Sequence, residues 1–256
     1  MLNLKKGDCL ELMRDIPDHS VDLILCDLPY GTTSCRWDTI IPFDKLWEQY
    51  NRILKPKGIV CLTSTEPFTS KLIMSNVDFF KEKLIWIKHR ASNFANAKYR
   101  HMKYTEDVVV FGRAGTTYNR QMVPRTSPRV QQMHDSKWVM KPMEKSEVSF
   151  KTERKPMDSK RWDADYKNPM DYIEIPCVVN NSKEKTIHPT QKPVKLLKYL
   201  IETYSNEGET VLDNCMGSGS TGVAAVELGR DFIGYELDQR FFEIAEDRVK
   251  AVTSQV

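Results

Sequence analysis

An Asp, a Pro and a Tyr directly follow an apolar run near the start of the chain. Val21–Cys26 has the length and the β-forming residues of a buried strand, and Asp27-Leu28-Pro29-Tyr30 comes next. Pro29 cannot donate a ladder hydrogen bond, so the strand must end near Asp27. The Asp27 carboxylate and the Pro29 carbonyl could accept both N–H bonds of an amino group, and the Tyr30 ring could stack on a heterocycle. An ordinary turn capped by Asp27 would account for the same residues.

A second group of candidate ligands surrounds a glycine-rich turn near the end of the sequence. Gly217-Ser218-Gly219-Ser220-Thr221-Gly222 lies between a predicted strand and a predicted helix, and Glu236 ends the next predicted strand. Spaced glycines let a ligand approach the backbone, and the acid can bind ribose hydroxyls. This pattern alone fits NAD as well as S-adenosylmethionine. Asp213 and Lys192 favour the latter, because they suit the ammonium and the carboxylate of a methionine group.

Together, these stretches and His188-Pro189-Thr190-Gln191-Lys192-Pro193 resemble the β class of amino-group DNA methyltransferases. In that family an Asp-Pro-Pro-Tyr signature holds the target amine, and here Leu28 replaces its first Pro. The resemblance implies that Asp27, Pro29 and Tyr30 are catalytic, and that a flipped-out base is methylated without a covalent base adduct. The cofactor-binding residues that it implies are Asp8, Cys9, Asp27, His188, Thr190, Lys192, Asp213, Met216, Gly217, Ser218, Gly219, Thr221 and Glu236.

The succession of strand and helix patterns predicts an α/β fold with a doubly wound, mostly parallel sheet. The resemblance implies seven strands and the circularly permuted fold of S-adenosylmethionine-dependent methyltransferases. We expect a catalytic half at 1–112, a target-recognition insertion at 113–185 and a cofactor-binding half at 186–256. Lys55-Pro56-Lys57-Gly58 is predicted to end a helix before the strand Ile59–Thr63.

The charge of the 256-residue chain is uneven although its net value is only +3. Arg113 to Asn168 contains thirteen Lys and Arg against seven Asp and Glu, a net of +6 that leaves −3 for the rest. This segment has too few aliphatic residues for a core, and its aromatic residues lie among cations, as suits phosphate contact and base stacking. A solvated Lys-rich loop would have the same charge. The expected DNA-contacting residues are Arg36, Trp37, Arg113, Arg120, Arg125 and Arg129.

Several classes of protein are disfavoured by composition. No apolar run has the length of a membrane span, and the first residues do not form a signal peptide. The six cysteines lack metal-site spacing, so we expect reduced thiols in a cytoplasmic protein, with neither zinc nor disulfides. The expected partner is duplex DNA; a restriction endonuclease and a homodimer are further possibilities.

The target base is expected to be adenine, because Asp27 stands where cytosine-specific relatives more often have Ser. Methylation of the cytosine amino group is the main alternative. RNA methylation, a catalytically silent DNA-binding protein and a NAD oxidoreductase are the others.

Overall fold

A computed structural model of the chain describes residues 1–31, 38–125, 165–179 and 191–254. The strands in this part of the chain are β1 (Leu2–Lys6), β2 (Val21–Cys26), β3 (Leu54–Ser64), β4 (Phe80–Ser92), β5 (Lys103–Gly112), β6 (Val123–Pro124), β7 (Tyr166–Lys167), β8 (Tyr172–Glu174), β9 (Thr210–Asp213) and β10 (Asp231–Glu236). The helices are α1 (Cys9–Met13), α2 (Phe43–Ile53), α3 (Phe68–Met74), α4 (Val194–Tyr204), α5 (Ser220–Glu227) and α6 (Gln239–Thr253), with short 3-10 turns at Val77–Phe79 and Phe94–Asn96.

Eight of these strands form one sheet in the order β1-β10-β9-β2-β3-β5-β4-β8. All neighbouring pairs are parallel except β3–β5 and β5–β4, so β5 alone runs against the other strands of this described sheet. The predicted doubly wound, mostly parallel α/β fold is therefore confirmed. The strand count differs from the expected seven because the short β8, from the region expected to be an insertion, pairs with β4 at the sheet edge.

Helices cover both faces of the sheet, and β2 is buried along its whole length. Leu23 and Leu25 belong to the apolar cluster that includes residues of α4, α5 and α6. Ile24 and Cys26 belong to the cluster on the other face, with residues of α1, α2 and α3. Alternate side chains of one strand thus enter two cores, which explains why its sequence is a continuous apolar run.

The predicted helix end before Lys55 is confirmed within one residue, but β3 begins at Leu54 rather than at the predicted Ile59, so residues 55–58 are already part of the strand. Helix α2 ends at Ile53, and Leu54 pairs directly with Val21 of β2. The register then shifts before Leu23 meets Ile59, and such an irregularity accommodates a Pro inside a strand. Lys55 is held there by an ion pair of 2.7 Å between its Nζ and Asp22 Oδ2.

The chain divides into two compact units. The larger unit comprises residues 1–119 and 170–256 and contains the eight-stranded sheet. The smaller unit comprises residues 120–169, of which the described part includes the antiparallel pair β6 and β7. Residues 113–119 and 170–179, which the sequence analysis assigned to the insertion, lie in the larger unit. Within the described ranges, no helix is long and apolar enough to cross a membrane.

Gly222 lets helix α5 pack closely on the neighbouring strand and helix. A Cβ at this position would lie 2.6 Å from the Phe232 ring and 2.7 Å from Val249 Cγ2. Both neighbours are buried, so neither can move away freely. The third glycine of the turn is therefore required by packing rather than by a ligand.

We expect Gly222→Ala to lower the free energy of unfolding by about 1–3 kcal/mol, because the added methyl group overpacks this contact. Chemical denaturation measures the change. In an open helix the same substitution would instead stabilise the protein by roughly 1 kcal/mol through helix propensity. An unchanged or increased stability would therefore contradict the packing role of Gly222.

Candidate functional site

A cavity of about 860 Å³ lies at the edge of the sheet where the parallel strands end. Strands β2 and β9 are neighbours in the centre of the sheet, and the order of strands reverses between them. Crevices at such a switch point are the usual ligand sites of open α/β sheets. Asp27, which follows β2, and Asp213, the last residue of β9, both line this cavity.

The Asp27 carboxylate is held by three donors. Its Oδ1 accepts a hydrogen bond from the Tyr30 hydroxyl at 2.5 Å and another from the Thr63 hydroxyl. Its Oδ2 accepts one from Lys192 Nζ at 2.6 Å. A carboxylate oxygen can accept two hydrogen bonds, so Oδ1 is saturated and Oδ2 retains one acceptor position. The free position of Asp27 is therefore on the oxygen that Lys192 contacts.

Lys192 lies among the carboxylates of the site and is almost completely buried. Its Nζ is also 3.6 Å from Glu106 Oε2, while Glu106 Oε1 accepts a hydrogen bond of 3.0 Å from Lys88 Nζ. Burial would lower the pKa of Lys192, but the charges of Asp27 and Glu106 outweigh it and raise the pKa above its usual value. Lys192 therefore remains an ammonium group and cannot act as a general base. The sequence analysis had assigned it to a cofactor carboxylate, whereas here it contacts Asp27.

The loop that carries Pro29 and Tyr30 is anchored from both sides. Leu28, which stands where the family signature has its first Pro, is only 4% exposed. Its side chain belongs to the apolar core beneath the loop. The Tyr30 ring lies 5.1 Å from that of Phe68, and burial raises the pKa of Tyr30 well above its usual range. Tyr30 is thus a neutral hydrogen-bond donor to Asp27. Pro29 lines the cavity beside it.

Asp213 is a buried acid at the base of the cavity, with 3% of its surface exposed. Burial raises its pKa to about 6, although hydrogen bonds from the Thr221 side chain, the Cys215 backbone and the Cys26 side chain oppose the shift. Among the described residues, no Lys or Arg forms an ion pair with Asp213. A cationic group of a ligand would therefore relieve an unbalanced charge at this position.

Glu236 and the glycine-rich turn form the opposite wall. Glu236 Oε2 accepts a hydrogen bond of 2.9 Å from the Gly217 backbone N–H, and Oε1 accepts one of 2.8 Å from that of Asp238. Each oxygen retains an acceptor position. Burial raises the pKa of Glu236. Gly217 and Gly219 have φ values of +52° and +77°, a region that favours glycine.

The first helix contributes the remaining wall. The Asp8 carboxylate caps α1 by accepting a hydrogen bond of 2.8 Å from the Leu10 backbone N–H. Cys9 follows it, and burial together with hydrogen bonding to Cys215 raises the pKa of the Cys9 thiol. This thiol is therefore uncharged and lines the cavity as a weakly polar surface. Of the other residues assigned to the cofactor from sequence, Met216, Ser218 and Thr221 also line the cavity.

The structure gathers only some of the residues selected from the sequence. Arg36, Trp37, Arg129, His188 and Thr190 lie outside the described residues. Arg113 follows β5, which is antiparallel to β3. The last residue of β5, Gly112, pairs with Ile59 of β3. It therefore lies at the edge of the sheet opposite the cavity.

Arg120 and Arg125 make contacts inside the smaller unit. Arg120 Nη1 donates a hydrogen bond of 3.0 Å to Asn168 Oδ1, and Arg125 Nε donates one of 3.0 Å to the Tyr166 carbonyl. Both arginines thus connect residues near β6 with residues near β7 in that unit.

Four side chains of the site were not selected from the sequence. The Thr63 hydroxyl donates a hydrogen bond to Asp27. The Glu106 carboxylate contacts Lys192 and also accepts a hydrogen bond from Lys88. Arg248 of α6 binds the glycine-rich turn, because its Nη1 donates a hydrogen bond of 2.9 Å to Ser218 Oγ. Thr63 could have been selected from the sequence, because it is the last residue of the predicted strand Ile59–Thr63. The position of Glu106 depends on the reversed direction of β5, which the sequence pattern does not encode.

The chain is similar in sequence to known DNA methyltransferases. A family model described as DNA methylase matches residues 21–247. The type II methyltransferase M.HinfI of Haemophilus influenzae is 26% identical over 279 residues, covering 96% of this chain and 68% of that protein.

Two solved structures share the fold at low sequence identity. The M1.HpyAVI–SAM complex has a TM-score of 0.63 and 23% identity, covering 97% of this chain and 99% of that one. The cytosine-N4-specific PvuII DNA methyltransferase has a TM-score of 0.65 and 15% identity, covering 99% of this chain and 92% of that one.

Lys192 should contribute to stability by balancing two carboxylates. We expect Lys192→Met to lower the free energy of unfolding by about 2 kcal/mol, less than for a fully buried pair because Asp27 and Glu106 are partly exposed. Adding Glu106→Gln should recover part of this loss, since one of the two unbalanced charges is then removed.

Chemical denaturation of the two variants provides the measurement. Lys198→Met is the matched control: its ammonium pairs with Glu227 at 2.7 Å, but both side chains are about one third exposed, so the cost should be at most about 1 kcal/mol. If Lys192→Met and Lys198→Met cost the same, the charge balance described for Lys192 is contradicted.

Proposed function

The chain belongs to the N6/N4 DNA methylase family, and we propose that it transfers a methyl group from S-adenosylmethionine to the amino group of adenine in duplex DNA. The observation that carries the proposal is the position of Asp27, whose Oδ2 keeps an acceptor position in the same cavity as Asp213 and Glu236. Family membership disfavours the NAD oxidoreductase and RNA methyltransferase alternatives.

The acidic groups of the cavity fit the cofactor. Asp213 is buried without a cationic partner among the described residues, and the ammonium of the methionine group would supply one. Glu236 is fixed by two backbone N–H groups and has acceptor positions left for the two ribose hydroxyls. When bound, S-adenosylmethionine supplies an electrophilic methyl group. Asp8 and Cys9 line the wall assigned to the adenine ring.

Asp27 and Pro29 prepare the target amine. The lone pair of an exocyclic amine is delocalised into its ring, so the nitrogen is a weak nucleophile. Accepting its two N–H bonds at Asp27 Oδ2 and at the Pro29 carbonyl favours a pyramidal nitrogen. The base must leave the duplex to reach these acceptors, which lie inside a cavity.

Thr63 and Tyr30 keep Asp27 aimed at the amine. Both hydroxyls bind Oδ1, so the carboxylate cannot rotate without losing two hydrogen bonds. After methylation the nitrogen carries one proton too many, and Asp27 Oδ2 is the adjacent acceptor for it. Lys192 cannot take this proton, because its raised pKa keeps it charged.

Adenine is proposed over cytosine because of the carboxylate at position 27. Digestion of DNA incubated with the protein and S-adenosylmethionine, followed by mass spectrometry of the nucleosides, distinguishes the two. N6-methyladenine is the expected product. N4-methylcytosine would establish the alternative, and the absence of both products from all duplexes would refute the proposed function.

Asp27→Ala should abolish methyl transfer, a loss of at least about a thousandfold, because the amine loses its principal acceptor. Affinity for S-adenosylmethionine, measured by calorimetry, should change little. Asp78→Ala is the matched control, since Asp78 is exposed and precedes β4 at the far edge of the sheet. Near-normal turnover by a folded Asp27→Ala protein would contradict the assignment.

The affinity for S-adenosylmethionine should depend on pH through Asp213. The pKa of this acid is about 6, so it takes up a proton as the pH falls through 6 and loses its attraction for an ammonium group. Affinity should therefore fall below pH 6, approaching tenfold per pH unit because one proton must be released on binding.

Asp213→Asn should weaken binding at pH 7.5 by about 2 kcal/mol or more and should remove this acid-side dependence. Calorimetry between pH 5 and pH 7.5 measures both effects. Asp247→Asn, on the exposed side of α6, should behave as wild type. A wild-type pH profile in Asp213→Asn would show that another group binds the ammonium.

The target-recognition role of residues 113–185, a restriction endonuclease partner, a homodimer and a cytoplasmic location stay predictions.

A further inference from the structure

The segment between β4 and β5 borders the mouth of the cavity. Strand β4 is parallel to β3, and β5 runs back, so Ser92 and Lys103, which pair with each other, lie at the edge of the sheet that carries Asp27. Arg90 and Phe94 line the cavity itself. We call residues 89–104 the rim segment.

The rim segment is strongly basic. Its sequence contains no Asp or Glu, and its cations are Arg90, Lys98, Arg100 and Lys103. Elsewhere on the larger unit, exposed cations commonly face an acid, as Lys5 faces Asp15. In the rim segment, Arg90 and Lys98 are exposed and form no ion pair with any described residue. A concentration of unbalanced positive charge at one opening suits a polyanion.

Exposed aromatic rings lie between these cations. Tyr99 is 86% exposed, Phe94 is 64% exposed and Tyr104 is 45% exposed. Large apolar side chains that are grouped and exposed in this way usually mark a contact surface. Aromatic rings interleaved with Lys and Arg are the combination that contacts nucleobases and phosphates together.

The segment has a defined shape that presents these groups. Asn93 has a left-handed backbone with φ +71° and begins the 3-10 turn Phe94–Asn96. With its amide oxygen towards Arg100, Asn93 accepts hydrogen bonds of 2.8 Å from Nη2 and 3.1 Å from Nε. Lys103 Nζ donates a hydrogen bond of 2.9 Å to Thr65 Oγ1, which ties the segment to the end of β3. Preorganisation of this kind lowers the entropy lost on binding.

We propose that the rim segment is a docking surface for the DNA duplex next to the flipped nucleotide. Arg90 and Lys98 contact backbone phosphates, and Tyr99 stacks on a base exposed where the duplex opens. The inference rests on the proposed function, since it takes the substrate to be duplex DNA. It places a DNA contact at residues 89–104 of the larger unit. From charge alone, the sequence had indicated such a contact only for residues 113–168.

The test is binding of a 30-base-pair duplex over a series of salt concentrations. Arg90→Gln with Lys98→Gln should flatten the salt dependence by about 1.8 in log–log slope, because each lost phosphate contact accounts for roughly 0.9. Tyr99→Ala should weaken binding roughly tenfold without changing the slope, because stacking releases no counterions. Cofactor affinity of Tyr99→Ala, measured in parallel, should be unchanged, because Tyr99 does not line the cavity.

The matched control is Lys57→Gln with Lys250→Gln. It removes the same net charge from exposed positions at the start of β3 and the end of α6, at the edge away from the cavity. This control should retain the wild-type slope. Equal slopes for the rim double variant and the control would overturn the proposal, as would a change of oligomeric state in Tyr99→Ala with unchanged DNA affinity.

The two hypotheses fail differently. If the wild type methylates DNA but the rim variants bind it normally, only the docking surface is refuted. If the wild type neither binds nor methylates duplex DNA, the proposed function itself is refuted.

Discussion

The contact between Lys192 and Asp27 is the interaction on which the site depends. Asp27, Asp213 and Glu106 are three of the acids that line one cavity, and isolated buried carboxylates are costly. Lys192 is within 4 Å of two of them and is kept charged by them. Asp213 is left without a described cation, which makes it the acid that gains most from a positively charged ligand. In the proposed function, the protein thus balances the charge of Asp27, the amine acceptor, and leaves the charge of Asp213 to be balanced by the cofactor.

Much of this arrangement was accessible from the sequence because parallel strands place their carboxyl ends together. Asp27 and Asp213 each follow an apolar run, so a parallel sheet brings them to one edge although 186 positions separate them in the numbering of the chain. The same reasoning located Glu236. Gly217 and Gly219 were assigned correctly to a strand–helix turn and serve its backbone conformation, whereas Gly222 lies inside helix α5 and serves packing.

The rest was not accessible because it depends on strand direction and on contacts between distant side chains. Glu106 lies two residues before the buried part of β5, and only the reversal of this strand brings it to Lys192. The same reversal carries Arg113 to the opposite edge. Lys55-Pro56 follows the helix end as predicted, but its place inside β3 was missed because a Pro disfavours a strand and the register shift beside Asp22 cannot be seen in a pattern.

The distribution of charge separates two tasks in nucleic-acid binding. Phosphate contacts position a duplex without reading its sequence, whereas base contacts select it. A rim of cations around the cavity meets the first need directly, because the flipped nucleotide must enter at that opening. Residues that read bases can then lie farther along the duplex, away from the acids of the cavity. Residues 113–168, with a net charge of +6 and few aliphatic side chains, stay the prediction for that second task.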